Sequence, residues 1–158
     1  MSNIKGRLVR IILEGQSLHR LSPLQEADVE QAVKDLQGEN EFIPATQPAL
    51  QSLLHLSIQE GRLVFDIRDL EDTPVQLVIL ALGPFKMLIK DYQMLLDSYA
   101  QAMAEGREAR IQAIDMGRRG LHNEGAELMM ERLKGKVEID FQTARRLFTL
   151  VCSLHQKL

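Results

Sequence analysis

With one cysteine, Cys152, in 158 residues, the chain has no means of building a disulfide framework. A lone thiol inside an apolar run suits a reducing compartment. The first residues, Met1-Ser2-Asn3-Ile4-Lys5-Gly6-Arg7, lack the apolar segment of a signal peptide. The longest apolar stretch, Val75 to Leu82, is far short of the roughly 20 residues that a membrane span needs. A soluble cytoplasmic protein with no membrane partner is therefore expected. No Gly-rich phosphate loop follows a strand, no Gly-x-Ser-x-Gly elbow occurs, and neither His-Glu-x-x-His nor Cys-x-x-Cys points to a metal. Cofactor and metal are accordingly both expected to be none. These absences leave acid–base chemistry open, because a site assembled from distant residues needs no local motif. Repeats, low-complexity tracts and flexible linkers are also missing, which points to one globular domain over residues 1–158.

What is present is an ordinary globular composition, 45% apolar and 26% charged. A chain of this length buries close to about 70% of its unfolded surface and holds a core without staples. The net charge of −3 argues against a non-specific nucleic-acid binder, which depends on many Lys and Arg neutralising phosphates. That charge is unevenly spread. Residues 1–104 carry 9 Lys and Arg against 14 Asp and Glu, whereas residues 105–158 carry 10 against 8. Such asymmetry permits head-to-tail or dimeric contacts and a local anion site.

Leu8 to Leu13 reads as a first strand with Val9, Ile11 and Leu13 on one face. Ser22 and Pro23 then open a helix to about Gln37, carrying Leu24, Val29, Val33 and Leu36 as its apolar stripe. Residues 39–50 read as an extended connector. Leu53 to Arg68 is a hairpin whose Glu60-Gly61 turn sets Ile58 against Leu63, Leu56 against Phe65, Leu54 against Ile67 and His55 against Asp66. His55 and His19 read as ordinary strand or surface histidines. Val75 to Leu82, apolar on both faces, suggests a central strand covered on both sides or a partner surface. Gly83-Pro84 starts a long helix with Phe85, Leu88, Tyr92, Leu95, Leu96, Tyr99 and Met103 at helical spacing, and Lys86, Lys90 and Asp91 on its solvated side. After Glu105-Gly106 a second long helix runs to about Lys134, with Ile111, Ile114, Leu121 and Leu128 as a seam on which Arg118 and Gly125 fall. A short segment, Lys136 to Ile139, precedes Asp140. That residue caps a last helix that buries Phe141, Ala144, Leu147, Phe148, Val151 and Leu154. The expected fold is α+β, an antiparallel β-meander sheet packed by several helices, with a helical C-terminal half.

The densest chemistry lies at residues 115–125, where Gly117, Gly120 and Gly125 stand among Asp115, Arg118, Arg119, His122 and Glu124. Each interior glycine costs a helix roughly 1 kcal/mol relative to Ala, so close packing, a helix break or a ligand is needed to explain it. If the helix breaks, backbone N–H groups near Gly117 or Gly120 form a nest for a phosphate or carboxylate beside two guanidiniums. If it does not, Arg118 and His122 share a face, and the arginines pair with acidic residues such as Asp115, Glu124 or Glu138 at a helix crossing. His122 and Glu124 then point apart, which defeats a simple chelate. Arg145 and Arg146 bracket the solvated face of the last helix or extend the basic cluster. Cys152 and His155, three apart, have the spacing of a nucleophile and base, although buried cysteines mostly behave as small hydrophobes.

The run from Ile114 through Gly117-Arg118-Arg119-Gly120-Leu121-His122-Asn123-Glu124-Gly125 resembles the bacterial uncharacterised protein family 0262. So do Gly135-Lys136-Val137-Glu138-Ile139-Asp140, Thr143-Ala144-Arg145-Arg146-Leu147-Phe148-Thr149-Leu150, Glu60-Gly61-Arg62-Leu63-Val64-Phe65-Asp66-Ile67-Arg68 and Lys90-Asp91-Tyr92. The tail departs from the pattern, with Gln156 where tryptophan is expected. The resemblance implies a bacterial cytoplasmic protein and carries over no catalytic residue, cofactor or mechanism. Three functions stay open. One is a binding or regulatory module for an anionic small molecule or an acidic protein partner, using Arg118, Arg119, His122, Glu124, Gly117 and Gly120. Another is an enzyme with His122 and Glu124 as an acid–base pair. The third is a homodimer joined through its glycine-rich face.

Overall fold

The computed structural model describes residues 4–15 and 21–155; His19 and Gln156 lie outside them. In chain order the elements are β1 (Arg7–Glu14), α1 (Pro23–Gly38), β2 (Phe42–Pro44), β3 (Gln51–Gln59), β4 (Arg62–Arg68), β5 (Pro74–Ala81), α2 (Gly83–Glu105), α3 (Glu108–Leu133), β6 (Val137–Ile139) and α4 (Phe141–Leu154). The α+β class and the helical C-terminal half are as the sequence predicts.

Strands β3, β4 and β5 form the antiparallel meander. Glu60 and Gly61 both adopt positive φ, 50° and 73°, the left-handed pair that a two-residue hairpin needs. The ladder sets Ile58, Leu56, Leu54 and His55 opposite Leu63, Phe65, Ile67 and Asp66, the predicted register. β1 alters the picture, because it pairs parallel to β3 and gives a mixed sheet ordered β1-β3-β4-β5 rather than a purely antiparallel one. A parallel pair requires a long crossover, and α1 lies within it. An irregularity between Leu8 and Arg10 also turns β1 over. Leu8 and Ile11 are buried while Val9 is exposed, so Val9, Ile11 and Leu13 do not share a buried face.

Two other strand readings need correction. The connector at residues 39–50 contains β2, which pairs antiparallel with β6 in a small second sheet. β5 is an edge strand, not a central one; Val78 and Leu80 enter the core while Leu77 and Ile79 point outward, 61% and 46% exposed.

The helix signals hold closely. Ser22 accepts a hydrogen bond from the Gln25 N–H at 3.2 Å and Pro23 opens α1. Asp140 accepts from the Thr143 N–H at 2.9 Å and caps α4. Gly106, at φ 67°, ends α2 in the left-handed conformation that a helix C-terminus favours. Of the α2 stripe, Phe85, Tyr92 and Leu96 are buried with Ile89, whereas Met103 is exposed; Lys86 and Lys90 are solvated as expected. α4 is the centre of the molecule. Ten of its 14 residues are buried. It packs on α1, α3 and strands β1 and β3, sharing one apolar core with Leu54, Leu56, Leu63, Phe65 and Ile67 from the sheet.

Candidate functional site

α3 runs unbroken from Glu108 to Leu133, so the glycine-rich segment is helical throughout and its backbone N–H groups form no anion nest. Only Gly125 has a packing reason that excludes a side chain. A Cβ built there would stand 2.3 to 2.5 Å from three ring carbons of Phe148, so α3 and α4 touch backbone to ring. At Gly117 an added Cβ would meet Leu95 methyls at an ordinary 3.7 Å, and at Gly120 no atom of the described residues lies within 4 Å. The seam is also rotated from its predicted place. Ile114, His122, Gly125, Ala126, Met129 and Leu133 are buried, while Ile111, Leu121 and Leu128 are only partly so.

All four helices converge around Arg118. Its Nη1 donates to both carboxylate oxygens of Asp28 on α1, at 3.0 and 2.8 Å, and its Nη2 donates to Asp115 one turn earlier on α3 at 2.8 Å. Tyr92 of α2 donates its hydroxyl to the same Asp28 at 2.6 Å. Arg119 reaches the other oxygen of Asp115 at 3.2 Å but stays 71% exposed. This is the helix-crossing ion pair foreseen for the unbroken helix, with Asp115 as predicted and Asp28 in place of Glu124 or Glu138. The bond from Arg118 holds the Asp115 carboxyl below its usual range. For Arg118, burial opposes its charge, yet the bond to Asp115 and the charge of Asp28 outweigh it and raise its pKa. Tyr92 is likewise raised, by burial first and then by Asp28.

His122 is 7% exposed, with its ring 5.2 Å from that of Tyr92 and edge-on to Phe148 at 6.3 Å. Its Nε2 is buried and has no hydrogen-bond partner among the described residues. Burial, reinforced by Arg145 and Arg118 and opposed by Asp28, pushes its pKa down to about 4. The imidazole is therefore neutral near pH 7. Glu124 is exposed, and two residues along a helix place it about 200° away from His122. The pair does not converge, which removes the geometry that the acid–base reading requires.

Between α1, α3 and α4 lies a polar groove of about 210 Å³, lined by Asp28, Asp35, Asp115, Arg118, Arg119, His122, Arg145 and Arg146 among others. Arg145 donates Nε to Asn123 Oδ1 at 3.2 Å, and among the described residues it forms no ion pair with a carboxylate. Burial lowers its pKa, and Arg119, Arg146 and Arg118 lower it further. Arg146 approaches Asp35 at 3.6 Å. Sequence reasoning brought Arg118, Arg119 and His122 to this place and considered Arg145 and Arg146. It missed Asp28, Asp35 and Tyr92, each on a helix that no local motif ties to α3. A larger cleft of about 750 Å³ lies beside β2 and β6, lined largely by apolar groups such as Ile43, Pro48, Met130 and Val137, and contains none of residues 115–125. No three His, Cys, Asp or Glu side chains among the described residues are grouped to hold a metal ion.

Cys152 is fully buried, and burial drives its thiol far up, so the nucleophile pairing with His155 has no thiolate to offer. His55 carries more than its sequence position signalled. Its Nδ1 meets Glu14 at 2.7 Å and its Nε2 meets Asp72 at 3.0 Å, while Arg68 bridges Asp66 and Asp72. With a carboxylate on each ring nitrogen, the imidazolium is favoured. The Glu14 bond leads, Asp72 assists, and together they outweigh burial and Arg68 to raise the pKa.

The chain belongs to the uncharacterised protein family UPF0262, whose pattern it matches over residues 5–157. It is 62% identical to a UPF0262 protein of Acidiphilium cryptum, over 99% of this chain and 96% of that one. It is 63% identical to one of Granulibacter bethesdensis, over 96% and 91%, and 45% identical to one of Maricaulis maris, over 99% and 98%. These names state no activity. No solved structure matches the chain. Among the described residues, no helix is long and apolar enough to cross a membrane.

Proposed function

We propose that this protein is a small cytoplasmic binding or regulatory module that recognises an anionic group in the groove where its helices meet. Arg119, Arg145 and Arg146 supply the donors, and Arg118, already bound to two carboxylates, holds the groove in shape. Arg145 is the observation that carries this reading. It is a half-buried guanidinium beside three others, with an asparagine oxygen as its partner and no ion pair among the described residues. A guanidinium offers five N–H donors in a planar fork that suits carboxylate and phosphate oxygens. An anion placed against Arg145 would fill those donors and offset the repulsion from Arg118, Arg119 and Arg146. Glu124, Gly117 and Gly120 are not among the residues that line the groove, and this reading gives them no role.

A thermal-shift screen with phosphate, sulfate, polycarboxylates and nucleotides tests the proposal. A ligand at 100 times its Kd stabilises by about 2.7 kcal/mol, which is roughly 5–10 °C for a chain of this size. The shift is expected to vanish in Arg145→Gln and to shrink in the exposed variant Arg119→Gln, with the circular dichroism of both unchanged. A shift that survives in both variants, or no shift with any anion, refutes the reading.

A further inference from the structure

Resting on that anion-binding reading, we infer that the groove takes a compact tetrahedral dianion of the phosphate class, and takes it together with a proton accepted by the imidazole of His122. Size sets the first limit. The groove encloses about 210 Å³. That is below the ~300 Å³ at which whole small-molecule sites begin, so the space suits a phosphate head, with the rest of any larger ligand lying outside it.

Charge sets the second limit. Four guanidiniums, Arg118, Arg119, Arg145 and Arg146, line the groove with three carboxylates, Asp28, Asp35 and Asp115. The excess is one positive charge while His122 is neutral, and two once it is protonated. A singly charged carboxylate balances the neutral form. A phosphate, phosphomonoester or sulfate dianion balances the protonated one.

The imidazole is built to respond. It lines the groove, yet its buried Nε2 lacks a partner among the described residues. Such an orphan costs free energy and calls for a ligand, water or ion to explain it. Its ring is held by Tyr92 of α2 and Phe148 of α4, so it cannot swing into solvent without breaking that packing. The groups that decide its charge come from all four helices. α1 brings Asp28 and Asp35, α2 brings Tyr92, α3 brings Asp115, Arg118 and Arg119, and α4 brings Arg145, Arg146 and the un-ionised Cys152. Burial, Arg145 and Arg118 keep the proton off the imidazole. A dianion on Arg119, Arg145 and Arg146 offsets the repulsion from the guanidiniums and raises the imidazole's affinity for a proton against the burial that opposes it.

Sulfate is the decisive probe, because its double charge does not change between pH 5.5 and pH 8, so any pH dependence belongs to the protein. Calorimetric titration in two buffers of different protonation enthalpy is expected to show net proton uptake. Sulfate affinity is expected to rise as pH falls, by at most about tenfold per unit for a single linked proton. In His122→Phe and His122→Gln the uptake is lost and the affinity becomes flat with pH, while binding at pH 8 persists. Sulfate binding that depends on Arg145 but carries no proton overturns this inference and leaves the anion-binding reading standing. Undiminished proton uptake in both His122 variants also overturns it. Absence of sulfate binding to the wild-type chain at every pH overturns this inference, and absence of binding by every anion of the thermal-shift screen ends both. Inorganic phosphate and O-phosphoserine, titrated at about pH 7.5 where both are largely dianions, separate a free oxyanion from a phosphomonoester; binding of either supports the class, and failure of both overturns it.

Discussion

Adding one methyl group at each of three glycines of α3 is expected to give opposite results. Gly→Ala within a helix gains up to about 1 kcal/mol from backbone entropy alone. Among the described residues Gly120 has nothing within 4 Å of the new carbon and Gly117 has only Leu95 methyls at 3.7 Å, so Gly120→Ala and Gly117→Ala should each stabilise by about 0.5–1 kcal/mol. At Gly125 the same methyl meets the Phe148 ring at 2.3 to 2.5 Å. Carbon atoms settle at roughly 3.5–4.0 Å, so the ring or the helix has to retreat by about an ångström or more. Phe148 is fully buried, so its ring moves only against its core neighbours. Overpacking of this kind costs typically 1–3 kcal/mol. With a clash involving three ring atoms at once we take the upper end, for a net loss of about 2 kcal/mol after the helix gain. Gly120→Ala and Gly125→Ala should then differ by about 3 kcal/mol, or roughly 6–12 °C in Tm. Urea unfolding followed by circular dichroism measures both. Phe148→Leu in the Gly125→Ala background should recover part of the loss, a coupling that a double-mutant cycle reads directly. If Gly125→Ala proves as stabilising as Gly120→Ala, the contact between α3 and α4 described above is wrong.

Arg118→Ala strands the Asp28 carboxylate among α1, α2 and α3, and is expected to destabilise by about 2 kcal/mol. Arg119→Ala, at an exposed end of the same cluster, should stay within about 0.5 kcal/mol in the same urea titrations. His55 has its folded pKa raised above 6.5, so its two carboxylate bonds stabilise fully below pH 6.5 and lose that contribution as pH rises through the folded value. The stability gap between wild type and His55→Gln should therefore be widest at pH 6 and close toward pH 9; a gap that widens instead contradicts the pairing. His122 runs the other way. Its folded pKa of about 4 means that stability is full above pH 6.5 and falls by up to about 3 kcal/mol as pH drops toward 4, a loss that His122→Phe should abolish. Cys152 should resist alkylation in the native protein and react only on unfolding; rapid labelling without denaturant would show that α4 is not the sealed centre of the fold.

The hairpin was legible in the sequence because two independent signals agreed. Period-two alternation and a Glu60-Gly61 turn specify the same register, and a slip by one residue would turn Leu54, Leu56 and Phe65 out of the core. β1 was misread because its alternation includes Val9, the residue at which the ladder skips, and nothing local says whether a strand pairs parallel or antiparallel. β2 and β6 are three residues each, too short for periodicity to register. In α3 the glycines suggested a break, but packing on α2 and α4 overrides a propensity cost of about 1 kcal/mol per residue. Arg118, Arg119 and His122 were found from density of chemistry alone. Asp28 and Tyr92, which decide what Arg118 does, were hidden by sequence distances of 90 and 26 residues that only the tertiary fold closes.

The helix at the centre of the core, α4, follows every other element in chain order. On a ribosome adding about 5–20 residues per second, the sheet and three helices emerge before the segment that they are packed around. Until residues 141–154 are available, Leu54, Leu56, Phe65 and Ile67 have no roof, Gly125 faces no ring and the groove has no Arg145. The nascent protein must carry that open apolar face through most of its own synthesis. A chain halted before residue 140 therefore holds a meander and three helices with nothing to close on.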